Sequence, residues 1–371
     1  MNREELYKEM EKHKSEMTAS ERIKAYLNGD RVDHLPYDIL CIDWIVAAEM
    51  GYSLKDLSNI DIMAKVVNKR FDLYGIDGFG EAMVLRNVGE AVGSKVIYPD
   101  NEIDYIEKFA MDTNLDMNLI EKVDPLNNPI TKKKLERARI LKDRLNDHPI
   151  GTEVSGPLTV AAAIRPINKL LRDLKKNPEE VKKLLEFTVQ TNLDWVRAFT
   201  NEFGPTAVMI ADPVGCDDIL SPGQIAEFSY PYLDRLASSI YEITGIKAGL
   251  HVCGHTKKQW ESYKKLDIAL YSLDDCEDLA DIKDVIEDDL ILEGNVDPVE
   301  IMRYGSIDDV IGAVKECILK AADSKKGYVV ATGCDIPLGT PIENVDAFIY
   351  AVRKYSKDAM IGQIPAAVYE D

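Results

Sequence analysis

The stretch Ala207-Val-Met-Ile-Ala-Asp-Pro213 is a short apolar run that ends in a carboxylate and a proline. The same pattern returns in Leu290-Ile-Leu-Glu-Gly-Asn295 and in Tyr328-Val-Val-Ala-Thr-Gly-Cys334. Short, nearly continuous apolar runs of this kind are typical of parallel strands that are buried on both faces. The three stretches therefore predict a parallel sheet whose strands end in polar or sulfur-bearing residues.

Runs of this type recur along the whole chain and alternate with amphipathic helical segments. The predicted strands are residues 34–41, 75–80, 149–156, 207–213, 246–254, 268–275, 290–297 and 328–335. Eight strands that alternate with helices predict an α/β fold of the (β/α)8 TIM barrel type. An open doubly wound sheet is the alternative, but no Gly-x-Gly-x-x-Gly turn opens a helix after an early strand.

Two segments fall outside this alternation. We expect residues 1–371 to form a single barrel domain, with a charged helical leader at 1–30 and an insertion at 91–148, after the second strand. The insertion is predicted to hold a hairpin around Pro99-Asp100-Asn101 and a basic helix. Near the other end, Thr340-Pro-Ile-Glu343 is predicted to form a capping box at the start of the last helix.

Composition restricts the class of function. The chain has 65 acidic and 45 basic residues and a formal net charge of -20. This charge disfavours binding to nucleic acid and to anionic membranes, since both need a basic surface. Six cysteines are too few for a disulfide scaffold, and the sequence has no secretory signal and no membrane-spanning apolar run. We therefore expect a cytoplasmic enzyme with reduced thiols, no nucleic-acid partner and no membrane contact.

The most specific local pattern is His251-Val-Cys253. Alternate residues of a strand point to the same face, so these two side chains can bind one ion. Cys334 follows the eighth predicted strand, and the loops after the strands of a barrel converge at one end. A histidine and two thiolates suit Zn²⁺, with a fourth position left for water or substrate. We predict these three residues as metal ligands; the alternative is that the cysteines are ordinary packing residues.

Other polar residues follow the same strand ends. Asp212 and Glu153 are candidate catalytic residues, because a carboxylate at the end of a buried apolar strand is costly unless it is paired or used. The alternative for Asp212 is a simple cap of the following turn. The run Asp274-Asp275-Cys276-Glu277-Asp278 is predicted to be a solvated face. Asn295 and Asp297 end another strand and receive no role from the pattern alone.

The chain resembles the uroporphyrinogen decarboxylase superfamily. Within it, the chain is similar to the branch of cobalamin-dependent methyltransferases that are methylcobamide:coenzyme M methyltransferase-like. Arg31-Val-Asp-His-Leu-Pro36 is similar to the opening of the superfamily, and Gly156-Pro-Leu-Thr159 is similar to one of its turns. Ala211-Asp-Pro-Val214 resembles the methyltransferase branch. His251-Val-Cys253 with the distant Cys334 resembles the zinc pattern of that branch.

This resemblance, which runs from about Thr18 to the C-terminus, implies a zinc-dependent methyltransferase. Such an enzyme would move a methyl group between a corrinoid (methylcobalamin) on a partner protein and a small-molecule thiol or similar acceptor. The resemblance makes the three predicted ligands the zinc site, where the acceptor thiol would lose its proton. Asp212 or Glu153 would take that proton or orient a ligand.

Two alternatives to this activity stay open. One is a substrate:corrinoid methyltransferase that demethylates a methoxylated or methylamine-type donor, and the other is a non-catalytic barrel that binds a tetrapyrrole or corrinoid. Decarboxylation itself is not expected. After Pro36 the chain reads Tyr37-Asp-Ile-Leu-Cys-Ile-Asp-Trp44, and this acidic, arginine-poor segment cannot bind a polycarboxylate as the family's arginine-rich segment does.

Overall fold

The computed structural model describes residues 1–100 and 102–370. The described residues form two compact units, 1–77 with 270–370 and 78–269, and Asn101 and Asp371 lie outside the description. The strands of the described residues are β1 (Tyr37–Asp38), β2 (Phe79–Met83), β3 (Lys95–Ile97), β4 (Tyr105–Lys108), β5 (Ile150–Ser155), β6 (Val208–Ala211), β7 (Ala248–Val252), β8 (Ile268–Leu273), β9 (Ile291–Val296) and β10 (Tyr328–Thr332). The prediction of one barrel domain stays a prediction.

Helices separate these strands along the chain. The α-helices of the described part are α1 (Arg3–Met10), α2 (Ala19–Leu27), α3 (Ile42–Glu49), α4 (Ile60–Tyr74), α5 (Leu85–Ala91), α6 (Pro129–Arg144), α7 (Pro157–Ile164), α8 (Ile167–Lys176), α9 (Pro178–Phe203), α10 (Pro222–Gln224), α11 (Tyr230–Thr244), α12 (Trp260–Tyr263), α13 (Leu279–Ile286), α14 (Ile307–Ala321) and α15 (Ile342–Tyr355). A π-helical turn, Ile225–Ser229, joins α10 to α11.

In the first unit the strands follow the order β1-β10-β9-β8, and every pair is parallel. Tyr37 is opposite Val330, which is in turn opposite Gly294, and Leu270 is opposite Ile291. Every residue of β10 is buried, as expected for a parallel strand covered on both faces. The leader segment contains α1 and α2 and belongs to this unit.

In the second unit the strands follow the order β2-β5-β6-β7, again all parallel. Its longest helix, α9, buries a stripe that includes Trp195, whose indole nitrogen donates to the hydroxyl of Thr152 on β5 at 2.9 Å. The outer face of β5 is thereby fixed against α9. No helix in the described ranges is long and apolar enough to cross a membrane.

The eight parallel strands with intervening helices confirm the predicted (β/α)8 barrel class. Each predicted strand overlaps an observed one, but the second is displaced: it was expected at 75–80 and begins at Phe79. Gly75 ends α4 with φ 65°, and Gly78 has φ 84°. These left-handed residues form the turn into the strand, because glycine adopts positive φ at little cost.

The predicted insertion is present after β2. β3 and β4 form an antiparallel hairpin, with Lys95 opposite Lys108, while Asn101 of the predicted turn lies outside the described residues. The predicted basic helix is α6. Glu81 on β2 is buried and accepts from the side chains of Lys134 and Arg137, both at 2.9 Å. This paired carboxylate holds α6 against the strand.

The predicted capping box at Thr340 is wrong. α15 begins at Ile342 after Pro341, and no side chain caps it. The hydroxyl of Thr340 donates instead to the carbonyl oxygen of Pro337 at 2.8 Å. It therefore stabilises the preceding turn and does not cap α15.

Candidate metal centre

The three predicted metal ligands are brought together by the fold. His251 lies on β7 and Cys253 follows one residue after that strand ends, with His251 Nε2 3.3 Å from Cys253 Sγ. Cys334 follows β10. One ligand atom from each of the three residues lies within 4.8 Å of the others. His251 is buried and the two cysteines are partly buried.

The turn after Cys253 depends on glycine. Gly254 has φ 81°, a left-handed conformation that other residues adopt only with strain. A Cβ there would lie 2.8 Å from Asp218 Oδ2 and 3.4 Å from Cys216 Sγ. The backbone can therefore turn sharply at this point, which leaves Cys253 at the very end of β7.

The donor set fits zinc. Two thiolates and one imidazole form one of the usual ligand sets of Zn²⁺, and soft sulfur donors disfavour Mg²⁺ and Ca²⁺. Cys216, which lies in the loop after β6, is buried but is not part of the group of three. His255 is exposed and lies 3.1 Å from the carboxylate of Asp218.

Asp212, the first candidate catalytic residue, directly follows β6 and is only 1% exposed. Its Oδ1 accepts from the hydroxyl of Thr159 at 2.6 Å, and that hydroxyl also accepts from the backbone N–H of Val214 at 3.0 Å. The backbone N–H of Asp212 donates to the carbonyl oxygen of His251 at 2.8 Å. The side chain makes no cap bond to the following turn, so the capping alternative does not describe it.

The environment of Asp212 raises its pKa to about 6. Burial is the main cause, because it disfavours the charged form, while hydrogen bonds from Thr159 act in the opposite direction. Two glycines leave the space for the carboxyl group. A Cβ on Gly156 would lie 2.1 Å from Asp212 Cγ, and a Cβ on Gly215 would lie 2.4 Å from Asp212 Oδ2.

Glu153, the second candidate, lies on β5 and is partly exposed. Its neighbour Thr152 faces α9, where it accepts from Trp195. Because side chains alternate along a strand, Glu153 points to the opposite face of β5 from Thr152. Neither Glu153 nor Asp212 belongs to the group of three metal-ligand candidates.

Comparison with known proteins shows the family of this chain. Residues 18–355 match the uroporphyrinogen decarboxylase (URO-D) family. The chain belongs to the URO-D family. A methylcobamide:CoM methyltransferase MtaA of Methanosarcina barkeri is 26% identical over 357 residues, which cover 92% of this chain and 99% of that protein. A methylated-thiol–coenzyme M methyltransferase of Methanosarcina mazei is 24% identical over 356 residues, covering 92% of this chain and 90% of the relative.

A solved structure supports the fold of this URO-D family chain. The structure of a methyltransferase from Methanosarcina mazei superposes with a TM-score of 0.75 and 22% sequence identity, and the match covers 92% of this chain and 99% of that one. At this level of identity the likeness shows the fold alone.

The acidic run after β8 differs in part from the expected solvated face. Cys276 and Asp278 are exposed, but Glu277 is buried and Asp275 is half-buried. Asp278 is the N-cap of α13 and accepts from the backbone N–H of Ala280 at 2.8 Å. The pKa of Asp275 is raised to about 6 by burial and by the neighbouring charges of Asp274 and Asp297. The run is therefore a partly buried, hydrogen-bonded segment rather than a fully solvated face.

Sequence reasoning missed the residues that hold these elements in place. Thr159 was noticed only as part of a family-like turn, although it is the hydrogen-bond partner of buried Asp212. Asn295 was noted only as a strand end, although its amide binds two carbonyl groups of the turn after β8. An amide at the end of an apolar strand was a usable signal, but its partners are distant in sequence.

Proposed function

We propose that this chain is a zinc-dependent methyltransferase that transfers a methyl group between a corrinoid carried by a partner protein and a small-molecule thiol. The observation that carries the proposal is the approach of His251, Cys253 and Cys334 to within 4.8 Å of one another. Two relatives, each matching 92% of this chain, are named methylcobamide:CoM methyltransferase and methylated-thiol–coenzyme M methyltransferase. These names support a thiol as the acceptor.

In this proposal the imidazole of His251 and the thiolates of Cys253 and Cys334 hold the zinc ion. When bound, zinc supplies Lewis-acid activation that lowers the pKa of a thiol. The two protein thiolates balance the charge of the divalent ion.

Asp212 acts as a positioning residue in this proposal. With 1% exposure its carboxyl group cannot meet a substrate that arrives from solvent. Its backbone N–H instead binds the carbonyl oxygen of His251, while its side chain is held by Thr159. Asp212 thereby ties the end of β6 to the residue that offers the imidazole.

Glu153 is assigned to proton transfer. It is partly exposed and points away from α9, so its carboxylate can reach a solvent-borne thiol at the strand ends. The corrinoid of the partner protein would approach the same carboxyl ends of the strands, where barrel enzymes bind their substrates. Holding both reactants in one place would supply much of the rate.

The first test is zinc content in protein purified without oxygen or chelators. We expect about one zinc per chain, as in sites with three protein ligands. Cys253→Ser should lose most of this zinc and the methyl transfer from methylcobalamin to coenzyme M. Cys276→Ser, which changes an exposed cysteine outside the site, is the matched control and should retain both. Zinc and transfer that survive Cys253→Ser would overturn the proposal.

The absorbance spectrum of the corrinoid separates the alternative functions. Loss of the methylcobalamin spectrum on addition of a thiol supports the proposed direction. Gain of that spectrum from cob(I)alamin with a methoxylated or methylamine donor, without any reaction with thiols, would indicate the opposite type of methyltransferase. Corrinoid binding with neither zinc nor turnover would indicate a non-catalytic barrel.

A further inference from the structure

Asn295, near the end of β9, connects this strand to the turn that follows β8. The proposed function assigns no role to this residue. Its side-chain nitrogen donates to the carbonyl oxygens of Asp274 at 2.9 Å and Glu277 at 2.6 Å. Both amide hydrogens of Asn295 therefore form hydrogen bonds to the turn that follows β8. A side chain that satisfies two backbone acceptors of one turn fixes the position of that turn.

The turn held in this way, Asp274–Glu277, is further closed by its own hydrogen bonds. The N–H of Glu277 donates to the carbonyl oxygen of Asp274 at 3.3 Å, and the N–H of Cys276 donates to Asp274 Oδ1 at 3.1 Å. The side chain of Glu277 is buried. The turn is thus closed by its own hydrogen bonds and is held to β9 by the amide of Asn295.

This turn packs directly on the backbone that carries Cys334. A Cβ on Gly333 would lie 2.4 Å from the backbone nitrogen of Asp275 and 2.9 Å from its Cα, so only glycine allows the two backbones to approach this closely. The N–H of Gly333 also donates to the carbonyl oxygen of Val296, the residue after Asn295, at 2.8 Å. Cys334 is the next residue in the chain.

The opposite side of the Cys334 turn has its own anchor. The N–H of Ile336 donates to the carbonyl oxygen of Leu40 at 3.1 Å, and the N–H of Leu40 donates to the hydroxyl of Thr332 at 3.2 Å. The segment around Cys334 is therefore held between Leu40 on one side and the Asp274–Glu277 turn on the other. Removing one support leaves the thiol attached but free to shift.

We propose that Asn295, acting through the Asp274–Glu277 turn and Gly333, is a positioning residue that sets the place of the Cys334 thiolate in the metal site. This inference rests on the proposed zinc site and adds a residue to it. Outlying partners of metal ligands typically change metal affinity by about 10–100-fold when they are replaced. Asn295 is one residue further removed, so we expect an effect near the lower end of that range.

The test compares two asparagines that make the same kind of bonds. Asn344 on α15 donates to the carbonyl oxygens of Met302 at 3.0 Å and Gly305 at 2.8 Å, but it is not part of the contacts described above around Cys334. Asn295→Asp and Asn344→Asp each replace two donors by an oxygen of the same size. Zinc affinity is measured by competition with a chelator, and the Co²⁺-loaded proteins are compared by their thiolate-to-cobalt absorbance.

We expect Asn295→Asp to lower zinc affinity about tenfold and to weaken the thiolate-to-cobalt absorbance. Asn344→Asp should leave both unchanged. Equal effects of the two variants, or an Asn295→Asp protein with wild-type affinity and absorbance, would overturn the inference. If Asn295→Asp does not fold, Asn295→Ser, which keeps one donor, takes its place in the same comparison. Wild-type protein without zinc affinity would instead contradict the proposed function itself.

Discussion

Two carboxyl groups at strand ends have similarly raised pKa values in different surroundings. Asp212 after β6 and Asp275 after β8 both have a pKa raised to about 6. Asp212 is fully buried, and its hydrogen bonds from Thr159 counteract part of the effect of burial. Asp275 is half-buried, and its pKa is raised by burial and then by the charges of Asp274 and Asp297. A similar pKa therefore does not indicate a similar role.

Asp212 is therefore part of the packed interior, whereas Asp275 lies among other charged groups. The carboxyl group of Asp212 fills a space bounded by Gly156 and Gly215, so any change in its size or charge acts on the packing of the fold. Asp275 lies in the turn held by Asn295, where its side chain is half-buried and interacts with the charges of Asp274 and Asp297. We expect Asp212 to respond to substitution through stability, and Asp275 to respond through its titration.

The largest effect is expected from Gly156→Ala. The new Cβ would lie 2.1 Å from Asp212 Cγ, so the carboxyl group would have to leave its site and its bond to Thr159. Overpacking costs about 1–3 kcal/mol, and a lost buried hydrogen bond adds about 1–3 kcal/mol. The free energy of unfolding in urea, measured on the zinc-free protein, should fall by about 2–6 kcal/mol.

Gly312→Ala is the matched control for this variant. Gly312 lies inside α14, and no atom lies within 4 Å of a Cβ placed there. Alanine should raise the free energy of unfolding by about 1 kcal/mol through helix propensity. If Gly156→Ala unfolds at the wild-type urea concentration, the carboxyl group of Asp212 does not pack tightly against Gly156.

A smaller effect is expected from Asp212→Asn in the zinc-free protein. The folded-state pKa of Asp212, about 6, lies above 3.8, the ordinary pKa of an aspartate side chain. The stability contribution of Asp212 is therefore fully present below the unfolded pKa and is lost as the pH rises through about 6. Asparagine cannot ionise, so the variant should lack this loss and be more stable near neutral pH, by at most about 3 kcal/mol.

Urea unfolding at about pH 4 and about pH 7 checks this prediction, since the two values bracket the titration. Asp284→Asn, which changes an exposed carboxylate on α13, is the control and should leave the pH dependence unchanged. A stability of Asp212→Asn that falls with pH as steeply as in the wild type would show that Asp212 is not the group responsible.

The smallest effect is expected from Asp297→Asn, which removes one of the charges near Asp275. Asparagine can still accept the backbone N–H groups of Val299 and Glu300, which Asp297 binds at 2.7 and 2.8 Å. The pKa of Asp275 should fall by roughly half a unit, while the pKa of Asp212 stays the same. Carboxyl-carbon NMR titration of the zinc-free protein measures both.

High salt provides a second check on the same pair. At about 1 M salt the Debye length is about 3 Å, so the repulsion that acts on Asp275 should be screened. The pKa of buried Asp212 should respond much less. If salt or Asp297→Asn shifts both pKa values equally, the two carboxyl groups do not differ as the structure indicates.

The fold was predictable because its signals are local. Buried parallel strands need continuous apolar runs, and β10, buried at every position, is also one of the clearest runs in the sequence. The displaced second strand and the wrong cap at Thr340 share one cause. In the first case the residues Gly75–Gly78 form a turn, so the strand begins later than the apolar pattern predicted. In the second case the hydroxyl of Thr340 binds the carbonyl oxygen of Pro337 instead of capping α15.

The sequence by itself determined the strand–helix alternation, the strand ends that carry chemistry, and a histidine and two cysteines with the chemistry of a zinc site. These follow from hydrophobic periodicity and from ligand preference, which act through neighbouring residues or single side chains. Only the tertiary structure decided that Asp212 is sealed against Thr159 and that Asn295 holds the turn beside Cys334. Burial and hydrogen bonding between residues distant in sequence depend on the packed arrangement of the chain, because no local pattern records which groups will meet.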